Sequence, residues 1–99
     1  MKPELYFEDD ESFHFPLLDG LTIGREADVN VSRLKGSKYV SRIHATFIKG
    51  EDGWYVKDEG SSNGTFVNSV RVEPGTPRKL GEGDLVSLGF MSFVFKIAK

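Results

Sequence analysis

Ala45-Thr46-Phe47-Ile48-Lys49-Gly50-Glu51-Asp52-Gly53-Trp54-Tyr55-Val56 holds two short runs of alternating apolar and polar side chains, split by an Asp-Gly pair. Ala45 and Phe47 flank Thr46 in the first run, and Trp54 and Val56 flank Tyr55 in the second. Successive side chains of a strand point to opposite faces, so this alternation describes strands with one dry and one wet face. Asp52-Gly53 between them is a turn signal, because glycine reaches positive φ without steric cost.

The same reading extends in both directions. Leu5 and Phe7 alternate with Tyr6, and beyond an acidic turn Phe13, Phe15 and Leu17 alternate with Ser12, His14 and Pro16, which predicts a hairpin. Leu21 and Ile23 flank Thr22, and Val29 and Val31 flank Asn30. Towards the C-terminus come Phe66-Val67, Val70-Arg71-Val72, Val86 with Leu88, and Phe93, Phe95 and Ile97 alternating with Ser92, Val94 and Lys96. Asp19-Gly20, Asn63-Gly64, Pro74-Gly75 and Gly83-Asp84 punctuate these runs. No window holds a helical stripe. Many short strands at regular spacing predict an all-β sandwich of two antiparallel sheets, about eleven strands in all.

A chain of 99 residues makes one core and one domain, expected to run over residues 1–99. With 38% hydrophobic and 28% charged residues it reads as soluble and globular. No apolar run approaches the ~20 residues that span a bilayer, and Met1 leads into Lys2-Pro3-Glu4 rather than an apolar signal segment. The expected location is intracellular and cytoplasmic. The absence of cysteine excludes disulfides and thiolate metal sites, leaving packing, with eight Phe as its main material, to supply stability. A net charge of −2 argues against nucleic acid or an anionic membrane as partner. The charge is uneven: Glu8 to Glu11 is acidic, whereas Arg33, Lys35, Lys38 and Arg42 fall in a segment without an acid. That basic segment is also the longest without a strand pattern, lying between Val31 and His44, and is where a ligand is expected.

Three short motifs carry the chemistry: Gly24-Arg25, Ser41-Arg42-Ile43-His44, and Ser61-Ser62-Asn63-Gly64-Thr65-Phe66-Val67-Asn68. Each sets glycine, short hydroxyl residues or arginine at a strand end, where side chains and free N–H groups can converge on an anion. A phosphorylated side chain brings roughly −1.5 to −2 charge and three acceptor oxygens. Its receptor therefore needs a guanidinium for charge and short donors for geometry, which Arg25, Ser41, Arg42 and Ser62 provide.

At these residues the chain resembles the forkhead-associated (FHA) family, whose pattern is Gly-Arg, then Ser-x-x-His, then Asn-Gly-x-x-x-Asn. The match runs from Gly24 to Asn68, and Gly83-Asp84 and Gly89 fall where the family leads one to expect them. The resemblance implies a non-catalytic reader of phosphothreonine in a partner protein or peptide, downstream of a Ser/Thr kinase. It implies that Arg25, Ser41 and Ser62 contact the phosphate and that Asn63 grips the adjacent peptide backbone. Arg42 stands where other members carry various polar residues. It implies a structural His44, and Gly24, Gly64, Thr65 and Asn68 are expected to shape the loops. Tyr39 and Lys38, just before Ser41, are candidates for reading residues beside the phosphothreonine, favouring either an apolar or an acidic neighbour.

Other chemistries fit less well. Ser41 and His44 lack an orienting acid and a Gly-x-Ser-x-Gly elbow, so nucleophilic catalysis is not expected. Gly60 to Thr65 lacks the lysine of a P-loop and leads into a strand. His44 has no metal-ligand companion at helical spacing, and no metal or cofactor is expected. The alternative is a phospho-independent scaffold that binds a folded protein through a sandwich face or edge strand.

Overall fold

The computed structural model describes residues 2–98. Eleven strands form two sheets: β1 (Lys2–Phe7), β2 (His14–Pro16), β3 (Thr22–Gly24), β4 (Val29–Asn30), β5 (Ala45–Gly50), β6 (Gly53–Asp58), β7 (Thr65–Val67), β8 (Val70–Arg71), β9 (Arg78–Lys79), β10 (Leu85–Leu88) and β11 (Met91–Ala98). One sheet has the order β2-β1-β11-β10-β7-β8 and the other β4-β3-β5-β6-β9. The opening stretch forms β5 and β6, an antiparallel pair in the register Phe47↔Val56 and Thr46↔Lys57. The expected N-terminal hairpin is β1 and β2, with Leu5 opposite Phe15. Among the described residues no helix is long and apolar enough to cross a membrane.

The inward sets of the two sheets meet in one core. Phe47, Phe93 and Phe95 are essentially inaccessible, and Phe15 packs its ring 6.4 Å from Phe47 of the facing sheet and 6.0 Å from Phe93 of its own. Burying each such ring contributes about 2–3 kcal/mol, which makes the aromatic layer the main cohesive element of a chain without cross-links.

Two details depart from the alternation reading. β4 runs parallel to β3, with Ile23 opposite Val29, so the second sheet is mixed rather than wholly antiparallel. The cause is local: Asp28 accepts hydrogen bonds from the Thr22 amide and hydroxyl at 3.1 and 3.0 Å, and its own amide donates to Thr22 Oγ1. These bonds fold residues 25–28 back to the start of β3, so the chain retraces it in the same direction. Secondly, the stretch between Val31 and His44 is a succession of turns ending in one 3₁₀ turn, Ser37–Tyr39. Val31 and Val40 are buried at either end of this stretch and Leu34 packs on the core, while Arg33, Lys35 and Lys38 face solvent.

Strand direction brings the motifs together. β3 ends, β5 begins, β6 ends, β7 begins, β10 ends and β11 begins at the same pole of the sandwich, because each neighbouring pair is antiparallel.

Candidate functional site

The rim at that pole starts with Gly24. A Cβ there would lie 2.1 Å from the carbonyl oxygen of Arg42 and 2.8 Å from that of Ser41, so only hydrogen allows the two backbones to touch. The close approach lets the Arg25 amide donate to Ser41 O at 3.1 Å and the Glu26 amide to Arg42 O at 3.0 Å. Gly24→Ala is expected to lower folding stability by about 2–3 kcal/mol, since rigid backbone must shift on both sides. Urea denaturation checks this, and wild-type stability would show that the contact is dispensable.

Arg25 follows. It is half-buried rather than lying in the exposed loop that its position suggests, and its Nε donates to Val40 O at 2.5 Å. Among the described residues no acid lies within ion-pair distance of its guanidinium. Glu26 lies 3.6 Å from Arg42 instead, in a pair exposed on both sides, and Asp28 is engaged with Thr22. Arg25 is thus a cation oriented by the backbone, and Arg42 an exposed one whose own carbonyl the Glu26 amide bonds.

Below them His44 is fully buried. Its Nδ1 faces the Ser41 amide at 3.0 Å and its Nε2 faces Gly64 O at 2.9 Å. An amide only donates and a carbonyl only accepts, so the ring is neutral with its proton on Nε2. In this form one side chain ties the loop before β5 to the loop before β7. Burial pushes the pKa of His44 down, and the bond to Gly64 and the charge of Asp58 offset this only in part. A lowered folded pKa means that its contribution to stability is complete above the ordinary histidine value of about 6.5. It is lost as pH falls from there through the lower folded value. Folding stability is therefore expected to begin declining as pH falls below about 6.5. Denaturation midpoints across pH 5 to 7.5 test this, with the His44 ring NMR signal as site-specific report. A flat profile in that window would contradict it.

Asp58, which sequence reading missed, organises the second loop. It ends β6 opposite Ala45 and is almost wholly buried. Its Oδ2 accepts from the amides of Gly60 and Ser61 at 3.0 and 3.1 Å, and its Oδ1 from the hydroxyls of Ser61 and Thr65 at 2.5 and 2.7 Å. Burial works to raise its pKa, but these donors outweigh it and hold the carboxyl below its ordinary value. Ser61 Oγ passes the order on by accepting from the Gly64 amide at 3.0 Å. An Asp at a strand end two residues before glycine is the signature of an Asx turn, which was the available signal.

The two loops then meet. The Ser62 amide donates to Ser41 Oγ at 3.1 Å, which leaves the Ser41 hydroxyl proton free to point at a ligand. Asn63 Nδ2 donates to Tyr39 O at 2.9 Å, keeping its Oδ1 and a second N–H available. Ser62, Asn63, Lys38 and Arg42 are exposed, and Ser41 is half-buried. Gly64 has φ +88, and its carbonyl accepts from both His44 Nε2 and the Gly89 amide, each at 2.9 Å. Thr65 is buried on Asp58. Asn68 sits at the far end of β7 and does not join the rim. With φ 50 it shapes the turn into β8, donating to Asp84 Oδ1 at 3.0 Å and accepting from the Leu85 amide at 2.9 Å.

Two concavities lie elsewhere. One, of about 560 Å³, is lined by Phe13, Asn30, Ser32, Arg33 and Leu34, and another, of about 400 Å³, by Pro3, Lys49, Asp52, Gly53, Trp54 and Ile97. Neither includes Arg25, Ser41 or Ser62. With Lys38, Arg42, Ser62 and Asn63 exposed, the rim offers an open surface on which an extended ligand can lie.

A family model described as FHA domain matches residues 21–89. Protein FraH of Nostoc sp. is 43% identical over 74 residues, covering 72% of this chain and 26% of FraH. The chain thus spans about a quarter of the length of that relative. The solved structure of Mycobacterium tuberculosis EmbR in complex with a low affinity phosphopeptide superposes with a TM-score of 0.81 at 26% identity, covering 98% of this chain and 24% of EmbR. A structure described for phosphothreonine-dependent FHA domain interactions shares the fold, with a TM-score of 0.84 at 24% identity, over 100% of this chain and 99% of that one.

Proposed function

Because this chain belongs to the forkhead-associated family, we propose that residues 1–99 act as one non-catalytic module that binds phosphothreonine in a partner protein after a Ser/Thr kinase has modified it. The setting is intracellular signalling or assembly. The observation that carries this reading is the convergence of Arg25, Ser41 and Ser62 through the bonds Arg25 Nε to Val40 O and Ser62 N to Ser41 Oγ. Arg25 supplies an unpaired cation with two nitrogens to spare, Ser41 a hydroxyl proton, and Ser62 a second hydroxyl. Together they match the three acceptor oxygens of a phosphate ester. Asn63 reads the main chain beside the phosphoresidue through its free Oδ1 and N–H, Arg42 adds charge from the flank, and Lys38 and Tyr39 border the path of the peptide.

The donors are fixed before the ligand arrives. His44 and Asp58 hold both loops by hydrogen bonds that need no phosphate, so little ordering entropy opposes binding.

Calorimetric titration with one peptide in phosphothreonine, phosphoserine and unmodified forms tests the proposal. Phosphothreonine is expected to bind at least ~100-fold more tightly than the unmodified peptide, because the charge-assisted bonds all go to the phosphate. The threonine methyl adds about 1 kcal/mol over serine, roughly fivefold. Equal affinity for modified and unmodified forms would replace this mechanism with a phospho-independent scaffold.

A further inference from the structure

Resting on the phosphopeptide reading above, we propose that Asn63-Gly64 is a self-modification site at which conversion of Asn63 to aspartate or isoaspartate switches off phosphopeptide binding. The bonds that shape the loop hold this reaction back. The sequence has three asparagines, followed by valine at Asn30, by glycine at Asn63 and by serine at Asn68. In the reaction the backbone nitrogen of the following residue attacks the asparagine Cγ, so a Cβ on that residue obstructs the approach. Only glycine has none. The Gly64 N to Asn63 Cγ bond forms, the Cγ–Nδ2 bond breaks, and Nδ2 leaves as ammonia with the proton given up by Gly64 N. Water then opens the cyclic imide at either carbonyl, giving aspartate or isoaspartate, whose main chain is longer by one carbon.

The fold needs this pair as it stands. Gly64 has φ +88, and a Cβ there would lie 3.2 Å from both Arg71 Nε and Phe66 Cε1. Asn63 is exposed, and its Nδ2 bonds Tyr39 O at 2.9 Å, fastening one loop to the other. What the fold adds is restraint. The Gly64 N–H, which must be lost for attack, donates to Ser61 Oγ at 3.0 Å, and Ser61 is buried with its own hydroxyl proton held by Asp58. Base reaches such an amide only when the loop opens locally. The departing Nδ2 is at the same time anchored on Tyr39 O.

Either product damages the site. Aspartate sets a carboxylate against the Tyr39 carbonyl, acceptor against acceptor, and adds negative charge to a rim that receives a phosphate of the same sign. Isoaspartate does this and also lengthens the backbone just before Gly64, whose carbonyl accepts from His44 Nε2 and the Gly89 amide at 2.9 Å each. A bound phosphopeptide acts in the opposite sense, because it favours the closed loops and so slows conversion. The rim keeps its asparagine while occupied and loses it while idle.

The test incubates the full chain at mildly alkaline pH, alone and with the phosphothreonine peptide of the titration above, beside a free peptide of residues 59–67. Peptide mapping by mass spectrometry follows each asparagine. Conversion is expected first at Asn63, at least ~10-fold slower in the folded chain than in the free peptide, and slower again with phosphopeptide bound. Ser61→Ala, which removes the acceptor of the Gly64 amide, should bring the folded rate within about threefold of the free peptide. Converted protein, separated by ion exchange, should bind the phosphopeptide at least ~10-fold more weakly, as should Asn63→Asp, with Asn63→Ala intermediate because it adds no charge. Equal rates in the folded chain and the free peptide overturn the restraint, and conversion at Asn63 no faster than at Asn68 overturns the site. Converted protein that binds as tightly as its parent overturns the switch and leaves the phosphopeptide reading standing. A wild type that binds no phosphopeptide overturns that reading and the switch together, while the conversion rates still decide the modification site. Where circular dichroism shows that Ser61→Ala does not fold, wild type in low urea takes its place. Conversion and hydrogen exchange at the Gly64 amide must then accelerate together, and a conversion rate independent of exchange overturns the restraint.

Discussion

Arg25→Ala is expected to weaken binding of a phosphothreonine peptide by at least ~100-fold, the equivalent of about 3 kcal/mol for a charged partner removed from a hydrogen-bonded pair. Two neighbouring cations are poorly suited to replace it: Arg42 is exposed and shares its charge with Glu26 at 3.6 Å, and Lys38 lies over the Tyr39 ring. The substitution also leaves Val40 O without its Nε donor, at a cost of about 1–2 kcal/mol in folding. Affinity must therefore be measured well below the midpoint of thermal unfolding. Arg25→Lys separates charge from shape. Lysine restores the charge, but its three donors sit on one nitrogen and cannot reproduce the planar fork that spans Val40 O and the phosphate, so it should recover only part of the loss. Full affinity in Arg25→Ala would remove the guanidinium from the mechanism.

The largest effect on folding is expected at Asp58. Asp58→Ala strips the acceptor from two amides and two hydroxyls, three of them on the buried residues Ser61 and Thr65. Each stranded donor costs about 1–3 kcal/mol, partly relieved by relaxation, so a total near 4 kcal/mol is expected. For a domain of this size that lowers the melting temperature by about 15–30 °C. Asp58→Asn can keep its oxygen towards the two amides and turn its NH₂ towards the Ser61 and Thr65 hydroxyls, which can accept, but it loses the charge that strengthens all four bonds and should recover only part of the loss. Calorimetric melting decides between these outcomes, and a shift of only a few degrees in Asp58→Ala would show that the loop holds itself. Because the folded pKa of Asp58 is depressed, its contribution is complete above the unfolded value of about 4 and is lost as pH falls through the folded one. Its acid signature thus sets in at lower pH than that of His44.

The strands were legible because burial imposes a period of two on each of them, and the pairs Ala45/Phe47, Trp54/Val56 and Phe93/Phe95 display it directly. Alternation carries no information on strand direction, and so β4 beside β3 was not anticipated as a parallel neighbour. That outcome depends on Asp28 capping Thr22. β9 also escaped notice, since Arg78-Lys79 has no apolar member and pairs only through its backbone with Tyr55 and Val56. At the rim, the motifs identified donors by chemical type. They did not reveal that Arg25 is half-sequestered by Val40, nor that Asp58 orders Ser61 and Thr65, because both depend on bonds between separate loops.

The pairing of Lys2 with Ala98 has a practical consequence. β11 starts at the rim and runs away from it for eight residues, roughly 23 Å, so the two ends of the described chain emerge side by side at the opposite pole. Any tether attached there, whether an affinity tag, a sensor surface or a neighbouring stretch of polypeptide, leaves Arg25 and Ser62 facing open solution. The same adjacency makes a short bridge between the ends feasible, and a circularly permuted chain opened at the exposed Glu73–Thr76 turn would keep every strand neighbour in place.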